Sequence, residues 1–300
     1  GAEDATILAA PDAAGNIVVL KHLIDEAETS GFKMAIIDPE LTDAEGDTAI
    51  TDIRDWKQNI LNSSSTYGAL YWPWLIVPDP SVSKISTVDS SAFATAYGVG
   101  TIKVPPSGHV AGQYSFLTAK KGVHRTPANL ELKGVLDVTK RIIDADQDFL
   151  NPIGINAIRV FSGEGIRIYG GRTLTSVTNG YHYISVRRTV NFIKRAIQRV
   201  NRPFVFAPNE PKTYSLIKST NESFLASLWR DGVLAPSNNI KKAFFVKVDE
   251  ETTTNADRKA GRLNVLIGVN PQYPAEFIVF SIALYDGDVS IEEIITGANV

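Results

Sequence analysis

Histidine side chains could hold a metal ion or transfer protons, and in this chain they are few and scattered. The four histidines are His22, His109, His124 and His182. None lies in an HExxH pattern or at a useful spacing from paired carboxylates, so the sequence does not favour a histidine metal site. His22 falls on a predicted helix beside Leu23, where a surface or half-buried histidine is the ordinary interpretation.

Carboxylates at alternate positions could bind calcium. Asp144, Asp146 and Asp148 have this spacing. A calcium loop of the EF-hand type then needs a glycine and further oxygen ligands, but Phe149 and Leu150 follow instead. We therefore predict no metal site here.

Glycine and serine clusters could cradle a phosphate or supply a nucleophile. Gly98-Val99-Gly100 and Gly163-Glu164-Gly165 are incomplete matches to phosphate-binding loops, and the run Ser63-Ser64-Ser65 lacks a GxSxG elbow. The chain is predicted to have no catalytic or cofactor-binding residues, to need no cofactor and not to be an enzyme. The alternative is an α/β hydrolase or nucleotide-binding enzyme, which would require a pocket with convergent titratable residues.

One basic pattern stands out, in a predicted helix from Val186 to Val200. At 100° per residue, five basic residues share an arc of roughly 140° and apolar residues take the opposite side. The basic residues are Arg187, Arg188, Lys194, Arg195 and Arg199. Three interpretations stay open: a solvated face above a core-facing stripe, a face that docks on an acidic partner, and nucleic-acid binding. Nucleic-acid binding is disfavoured because aromatic interleaving and an overall basic charge are lacking.

Composition places the chain among globular proteins of one large domain or two. It has 300 residues, 44% of them apolar, with 30 basic and 33 acidic residues and no cysteine. Residues 1–60 hold thirteen acidic and four basic residues, an asymmetry that fits either a subunit whose faces meet different neighbours or an ordinary scatter of charge. No apolar run approaches the roughly 20 residues of a membrane-spanning helix. A strand is predicted almost at once, from Ala5 to Ala10, which suggests a core fragment with sequence missing upstream.

Apolar periodicity predicts alternating strands and helices in the first third of the chain. The predicted helices cover Ile17–Thr29, ended by Gly31, and Ala49–Asn62; the predicted strands cover Ala5–Ala10, Phe32–Ile37 and Tyr67–Val77. Pro73 implies an edge, bulge or break in the third strand. Nearly continuous apolar strands between helices indicate an α/β fold with a mostly parallel sheet covered on both faces.

The rest of the chain is predicted to form a looped stretch followed by a second, α+β unit. Prolines and glycines in residues 78–133 favour extended and looped chain, with short helical turns near Gly108 to Thr118. The second unit contains a hairpin with the Gly163–Gly165 turn, the Val186 helix and a helix at Thr213–Asp231. Its predicted strands cover Phe204–Ala207, Ala243–Val248, Leu263–Val269 and Glu276–Leu284. We predict domains at residues 1–133 and 134–285 and a C-terminal arm or tail at 286–300.

Several ordered motifs resemble contractile tail sheath proteins. The strongest are Ile155–Arg159 (INAIR), Gly165–Leu174 (GIRIYGGRTL) and Tyr183–Arg188 (YISVRR). Others are Tyr71–Pro80, Val104–Gly112, Gly122–Asn129, Asn151-Pro152, Phe206–Asn209, Trp229-Arg230, Asp249–Thr252, Gly261–Leu263 and Pro274–Phe277. Each motif is short, but their number and order extend the resemblance over nearly the whole chain. The family includes phage tail sheaths and phage-tail-like contractile injection systems.

The resemblance implies a fold and a structural role. The first module would be subtilisin-like but non-catalytic, because no ordered Asp, His and Ser set accompanies it, and the sheath C-terminal domain would follow. The protein would polymerise as hexameric rings stacked around an inner tail tube and contract to drive the tube through an envelope. Its partners would be further copies of itself, the tube protein, the baseplate and the tail terminator, with no nucleic acid and no insertion into a membrane. It would lie in the virion tail sheath, assembled in the bacterial host cytoplasm, or in an equivalent particle.

The family also implies which surfaces carry this role. Subunits exchange extended arms that complete one another's sheets, for which the candidates here are Glu276, Phe277, Val279 and Ile282. The core domain faces the tube, so the Val186 helix with its five bases is the candidate for the tube or a neighbouring subunit. Because the N-terminal arm is expected to be missing, the fragment should assemble poorly by itself.

Overall fold

The computed structural model describes residues 5–42, 46–80, 100–276, 282–285 and 290–293. The helices are α1 (Ile17–Ser30), α2 (Gly46–Asp55), α3 (Ser107–Lys121), α4 (Asp144–Leu150), α5 (Ile184–Asn201), α6 (Pro211–Arg230), α7 (Ile240–Ala243) and α8 (Asn255–Lys259). The strands are β1 (Ile7–Leu8), β2 (Met34–Ile37), β3 (Gly68–Trp72), β4 (Leu75–Pro78), β5 (Thr101–Val104), β6 (Leu130–Glu131), β7 (Asp137–Val138), β8 (Ile155–Phe161), β9 (Gly165–Tyr169), β10 (Phe244–Lys247), β11 (Leu266–Val269), β12 (Ile282–Tyr285) and β13 (Ser290–Glu293).

The central element is a six-stranded sheet with the order β1-β2-β3-β8-β9-β6. The first four strands are parallel, with Leu70 of β3 opposite Ile155 of β8. The hairpin strand β9 and the short β6 are antiparallel. The predicted α/β class with a mostly parallel sheet is therefore confirmed. The hairpin that turns at residues 162–164 adds β9 to the sheet beside β8.

Both faces of the sheet are covered because successive strand residues point to opposite sides. Ala35 and Ile37 of β2 pack towards α1 and α2, whereas Met34 and Ile36 face the core that contains α3 and the start of α5. Most of these strand side chains are fully buried, and each large one contributes about 1.5–3 kcal/mol to folding. The helix α1 ends as predicted at Gly31, whose φ of 73° is left-handed.

Three local expectations for the first half were tested by the structure. Pro73 divides the predicted strand into β3 and β4, and β4 joins a second sheet with the order β5-β4-β7. The predicted helix Ala49–Asn62 becomes α2 followed by a π-helical stretch at Trp56–Leu61. The expectation of looped chain without a long helix in residues 78–133 was wrong, because α3 spans 15 residues. The inner face of α3 carries Val110, Tyr114 and Leu117, and burial of this face outweighs its two glycines.

The C-terminal part has its own core, formed by α5, α6 and the β10–β11 pair. The predicted strands here match β10 and β11, but the strand predicted at Phe204–Ala207 was wrong. Phe204 is the last residue of a 3₁₀ turn at Arg202–Phe204, and Phe206 has a left-handed φ of 68°. A short apolar run without alternation does not by itself identify a strand.

The predicted division at residues 1–133, 134–285 and 286–300 stays a prediction. The sheet does not follow its first boundary, because β6 lies before residue 133 and β8 and β9 lie after it. Near the C-terminus, β12 and β13 form a separate antiparallel pair in which Ile282 lies opposite Glu293. Within the described ranges, no helix is both long enough and apolar enough to cross a bilayer.

Candidate functional site

The helix α5 divides into a buried first half and an exposed second half. Residues 184–191 are buried on all sides, where the helix passes beside the central sheet and α3, and the remaining turns reach the surface. The predicted amphipathic helix is therefore present, but the five basic residues do not form one continuous exposed face. A helical wheel gives the angle of a side chain about the axis and says nothing of how deeply each turn is covered.

Arg187 lies inside the protein, with 6% of its surface exposed. Its guanidinium lies between the rings of Tyr67 and Tyr181, at 4.2 and 3.8 Å from the ring centres. Its Nη2 donates to Thr66 Oγ1 at 2.7 Å, and its Nη1 donates to the Tyr67 hydroxyl at 3.2 Å. Burial lowers the pKa of Arg187. These contacts join α5 to the segment before β3 and remove Arg187 from the docking surface.

Arg188 is equally buried, with 7% exposed. Its guanidinium lies 4.6 Å from the centre of the Tyr114 ring, and its Nη2 donates to Thr118 Oγ1 at 2.8 Å. Burial lowers the pKa of Arg188 and raises that of Tyr114 to about 12. Arg188 therefore fixes α5 against α3, and the docking role predicted from its position on the helical wheel does not fit this location.

The other three predicted docking residues lie on the second half of α5. Lys194 and Arg199 are exposed, and Arg195 is half-buried with its guanidinium 5.6 Å from the Phe32 ring. Arg195 and Arg199 line a cleft of about 700 Å³ between α5, the end of α3 and the start of β2. This half of the helix keeps a positive surface, and its docking role stays a prediction.

The predicted strand-exchange residues are distributed over the C-terminal segment. Glu276 is held by the body of the protein through Arg172, Asn151 and Tyr183, a cluster that the sequence did not predict. Phe277 and Val279 lie outside the described residues. Ile282 begins β12 and pairs with β13 of the same chain. The exchange role stays a prediction for these positions.

The residues considered for chemistry do not converge within the described ranges. The four histidines lie on separate elements, and no group of three or more His, Cys, Asp or Glu residues could hold a metal ion there. Asp144 forms an ion pair with Arg159 at 2.7 Å, and Asp146 accepts from the Ile143 backbone N–H at the start of α4. The two carboxylates therefore have structural partners.

Asp38 is a buried carboxylate that the sequence did not single out. It follows β2, and its Oδ1 accepts from the Ser107 backbone N–H at 2.9 Å, at the start of α3. Burial raises its pKa to about 6, an effect that outweighs the hydrogen bonds from Ser107. Asp38 thus links the carboxyl end of a central strand to the N-terminus of α3 by accepting from a backbone N–H of its first turn.

Two family models match the chain. The model for the phage tail sheath protein central domain matches residues 7–174, and the model for the phage tail sheath C-terminal domain matches residues 176–284. The tail sheath protein of Vibrio phage KVP40 is 26% identical over 254 residues, which cover 83% of this chain and 36% of that protein. The tail sheath protein of Burkholderia phage BcepMu is 32% identical over 139 residues, which cover 43% of this chain and 29% of that protein. The chain thus spans a minor part of the length of these relatives.

Solved contractile assemblies have a similar fold. The helical sheath of the anti-feeding prophage in the contracted state matches with a TM-score of 0.74 and 29% identity, over 94% of this chain and 70% of that chain. The contracted sheath complex of the extracellular contractile injection system PVC matches with a TM-score of 0.70 and 29% identity, over 86% and 65% of the two chains. A chain in the six-fold symmetrised baseplate structure of the anti-feeding prophage matches with a TM-score of 0.76 and 29% identity, over 93% and 68%.

Proposed function

This chain belongs to the phage tail sheath family, and from that membership we propose that it is part of a structural subunit of a contractile sheath. The subunit polymerises as stacked rings around an inner tail tube and contracts to drive the tube through a target envelope. The observation that carries this proposal is the match of the two sheath domains to residues 7–174 and 176–284. Similarity to a contracted helical sheath over 94% of the chain supports it further.

The proposed partners are other copies of the same protein, the tube protein, the baseplate and the tail terminator. Similarity to chains in assembled sheath and baseplate structures supports the first and third of these. The protein would lie in the tail sheath of a virion or of an equivalent contractile particle, after assembly in the host cytoplasm. The sheath protein would bind no nucleic acid and would not insert into a membrane.

Contact with the tube is assigned to the exposed half of α5, with Lys194, Arg195 and Arg199. An exposed ion pair contributes at most about 1 kcal/mol. Weak contacts repeated in every subunit of a polymer add up to firm binding before contraction. Each one also breaks at low cost when the sheath moves away from the tube. A positive helix half at the surface therefore suits a contact that must hold the tube before contraction and release it afterwards.

Links between subunits are assigned to strand addition at the C-terminal sheets. Among the residues that the structure describes, the sheet of β10 and β11 has two strands, and the outer edge of each has backbone groups that can accept a further strand. The segment from Glu276 through Phe277 and Val279 to Ile282 is the proposed contribution to a neighbour. Backbone hydrogen bonds between chains would act as hinges that persist while the domains rotate between two packings.

The test is electron microscopy of the whole protein expressed together with its tube protein. Ringed polymers around tubes, present in a long and a short form, are the expected result. Tubes formed by the tube protein expressed alone are the control, because they give the diameter of a tube without a sheath. Soluble protein that never forms rings on the tube, under conditions in which the tube itself assembles, would contradict the proposal.

A further inference from the structure

Phe206 is the most exposed large apolar residue in the part of the chain that the structure describes. It is fully exposed, at 103%, and the neighbouring Val205 is 61% exposed. The backbone of Phe206 is also left-handed, with a φ of 68°. This conformation is unfavourable for a residue with a bulky side chain, and strain of this kind is common at binding surfaces. A strained backbone that holds an aromatic ring in water is therefore typical of a residue that contacts another molecule.

Both ends of this turn are held by the body of the protein. Phe204 packs against the C-terminal core, and the backbone N–H of Ala207 donates to its carbonyl oxygen at 3.0 Å. On the other side, Asn209 accepts from the Tyr214 hydroxyl at 2.6 Å and donates to the Arg262 carbonyl oxygen at 2.9 Å. A ring on a turn that is fixed in this way loses little conformational entropy on binding, which suits an anchor residue.

A second feature of the chain could receive such a ring. A cleft of about 770 Å³ lies between α4, the β8–β9 hairpin and residues 126–129 and 274–276, and we call it the aromatic cleft. The half-buried rings of Phe161 and Tyr169 form part of its wall, with centroids 4.9 Å apart. The accessible part of such a pair can pack against a third ring. Phe206 does not line this cleft in its own chain.

The charge of the aromatic cleft is negative. Its lining includes three carboxylates and one basic side chain, which are Asp144, Glu164, Glu276 and Arg159. Asp144 and Glu164 are 58% and 64% exposed, so they give the rim of the cleft its charge.

The charge around Phe206 is positive. Arg202 and Lys212 are exposed on either side of it, and Glu210 is the one acidic residue between them. A cleft beside α5, of about 700 Å³, has four lysine and arginine side chains and one carboxylate in its lining. The segment around Phe206 has the same sign of charge as that cleft and the opposite sign to the aromatic cleft. Charge complementarity therefore favours the aromatic cleft as the receptor of the Phe206 ring.

We propose that Phe206 of one copy enters the aromatic cleft of the next copy and anchors a head-to-tail contact between sheath subunits. This inference rests on the proposed function, because it requires a chain that assembles with further copies of itself. A projection and a cleft at different places on one chain form a heterologous contact, which each added copy repeats. Such contacts produce rings or helical filaments.

The first test is a photocrosslink from position 206. The whole protein carries p-benzoylphenylalanine in place of Phe206, is mixed from unlabelled and heavy-nitrogen-labelled batches, and is assembled on tubes before irradiation. Mass spectrometry should find the peptide of residue 206 joined to peptides from residues 144–169, with the two peptides in different isotopic forms. Crosslinks that lead only to the tube protein, to the same copy or to other parts of the sheath protein overturn the proposal, as do assembled particles without crosslinks.

The second test compares substitutions. Phe206→Asp should lower the amount of sheath protein that sediments with tubes at least about tenfold. The matched control is Phe116→Asp, the same change at a phenylalanine of α3 that is 54% exposed, and it should leave sedimentation unchanged. Phe206→Gly should lose assembly as well, but it should keep or raise the midpoint of thermal unfolding, because glycine adopts the left-handed backbone readily. A lowered midpoint would mean that the ring supports its own chain, and it would overturn the proposal.

The wild-type protein separates failure of this inference from failure of the proposed function. If the wild type forms no rings on tubes, the proposed function is wrong and this inference is wrong with it. If the wild type assembles and Phe206→Asp assembles equally well, or if Phe116→Asp reduces assembly as much, this inference alone is overturned.

Discussion

The hydroxyl groups of Tyr71 and Tyr114 lie 2.7 Å apart in the core, where both side chains are fully buried. Their rings meet edge to face, with centroids 6.3 Å apart. Tyr71 belongs to the central strand β3 and Tyr114 to α3, and the guanidinium of Arg188 from α5 lies over the Tyr114 ring. One buried hydrogen bond thus joins the sheet to the helix that supports α5.

This pair predicts a strongly non-additive double-mutant cycle. Tyr71→Phe or Tyr114→Phe alone leaves a buried hydroxyl without its partner, and each should lower the free energy of unfolding by about 1–3 kcal/mol. The double variant leaves neither group unsatisfied, so it should be more stable than the sum of the single changes implies. Denaturant unfolding of the four proteins measures this coupling. Strict additivity would show that the hydrogen bond is absent in solution.

Asp38 predicts a specific pH dependence of stability. Its pKa is about 6 in the folded protein and near 3.8 when exposed, so its neutral form is favoured by folding. The stabilisation that the neutral Asp38 side chain gives to the folded state is fully present below about pH 4 and is lost as the pH rises through about 6. Asp38→Asn should therefore match the wild type near pH 4 and exceed its stability by up to about 3 kcal/mol at pH 7. Unfolding curves at pH 4, 5, 6 and 7 test this, and a constant difference would contradict it.

Substitution along α5 should separate structural arginines from surface ones. Arg187→Ala removes two aromatic contacts and two hydrogen bonds in the interior, so the free energy of unfolding should fall by about 2–4 kcal/mol. Arg188→Ala should have a similar effect. Lys194→Ala, on the exposed half, should stay within about 0.5 kcal/mol of the wild type. Equal effects of all three substitutions would contradict the division of the helix.

Charge reversal on the exposed half should weaken tube binding without unfolding the protein. Lys194→Glu/Arg199→Glu should lower cosedimentation of the whole protein with tubes, and added salt should lower wild-type binding in the same direction. The matched control is Lys241→Glu/Lys242→Glu, the same charge change on α7, where both lysines are exposed. Unchanged tube binding by the α5 variant, or equal loss in both variants, would refute α5 as the docking helix. Circular dichroism verifies the fold.

Two glycines with nearly equal backbone angles predict different costs for the same substitution. Gly154 and Gly134 have φ of 77° and 76°. An added Cβ at Gly154 would overlap the carbonyl oxygen of Thr173, whereas nothing lies within 4 Å at Gly134. Gly134→Ala should lower the free energy of unfolding by about 1–2 kcal/mol, because of the left-handed backbone alone. Gly154→Ala should cost clearly more, because the backbone that joins α4 to β8 must move. Similar midpoints in denaturant would contradict this.

The alternation of strands and helices in the first third of the chain, and the hairpin after β8, could be predicted from the sequence because local signals indicate them. Nearly continuous apolar strands indicated the parallel sheet, Gly31 the end of α1, and Pro73 the break between β3 and β4. The glycines at 163 and 165 indicated the turn of the hairpin. Each of these signals acts within a few residues of the feature that it predicts.

The buried polar contacts could not be predicted, since they join residues far apart in the chain. Arg187 and Arg188 have the pattern of a surface face, and only the covering by the sheet and α3 makes them interior residues. The same limit applies to the pair Arg172–Glu276 and to Asp38 with Ser107. Five of these residues are acids or bases that the sequence displays, but the periodicity of the sequence carries no information about their partners.

The pairing of β3 with β8 has a consequence for biosynthesis. Trp72 ends one strand and Ile155 begins its neighbour, so β3 leaves the ribosome long before its partner exists. At a rate of synthesis of about 5–20 residues per second, roughly ten seconds pass between the synthesis of β3 and that of β8. Closure of so long a loop is also slow, because its entropy must be lost before the strands pair. During that interval the nascent chain has an unpaired, aggregation-prone edge, and this is the stage at which a chaperone would act on it.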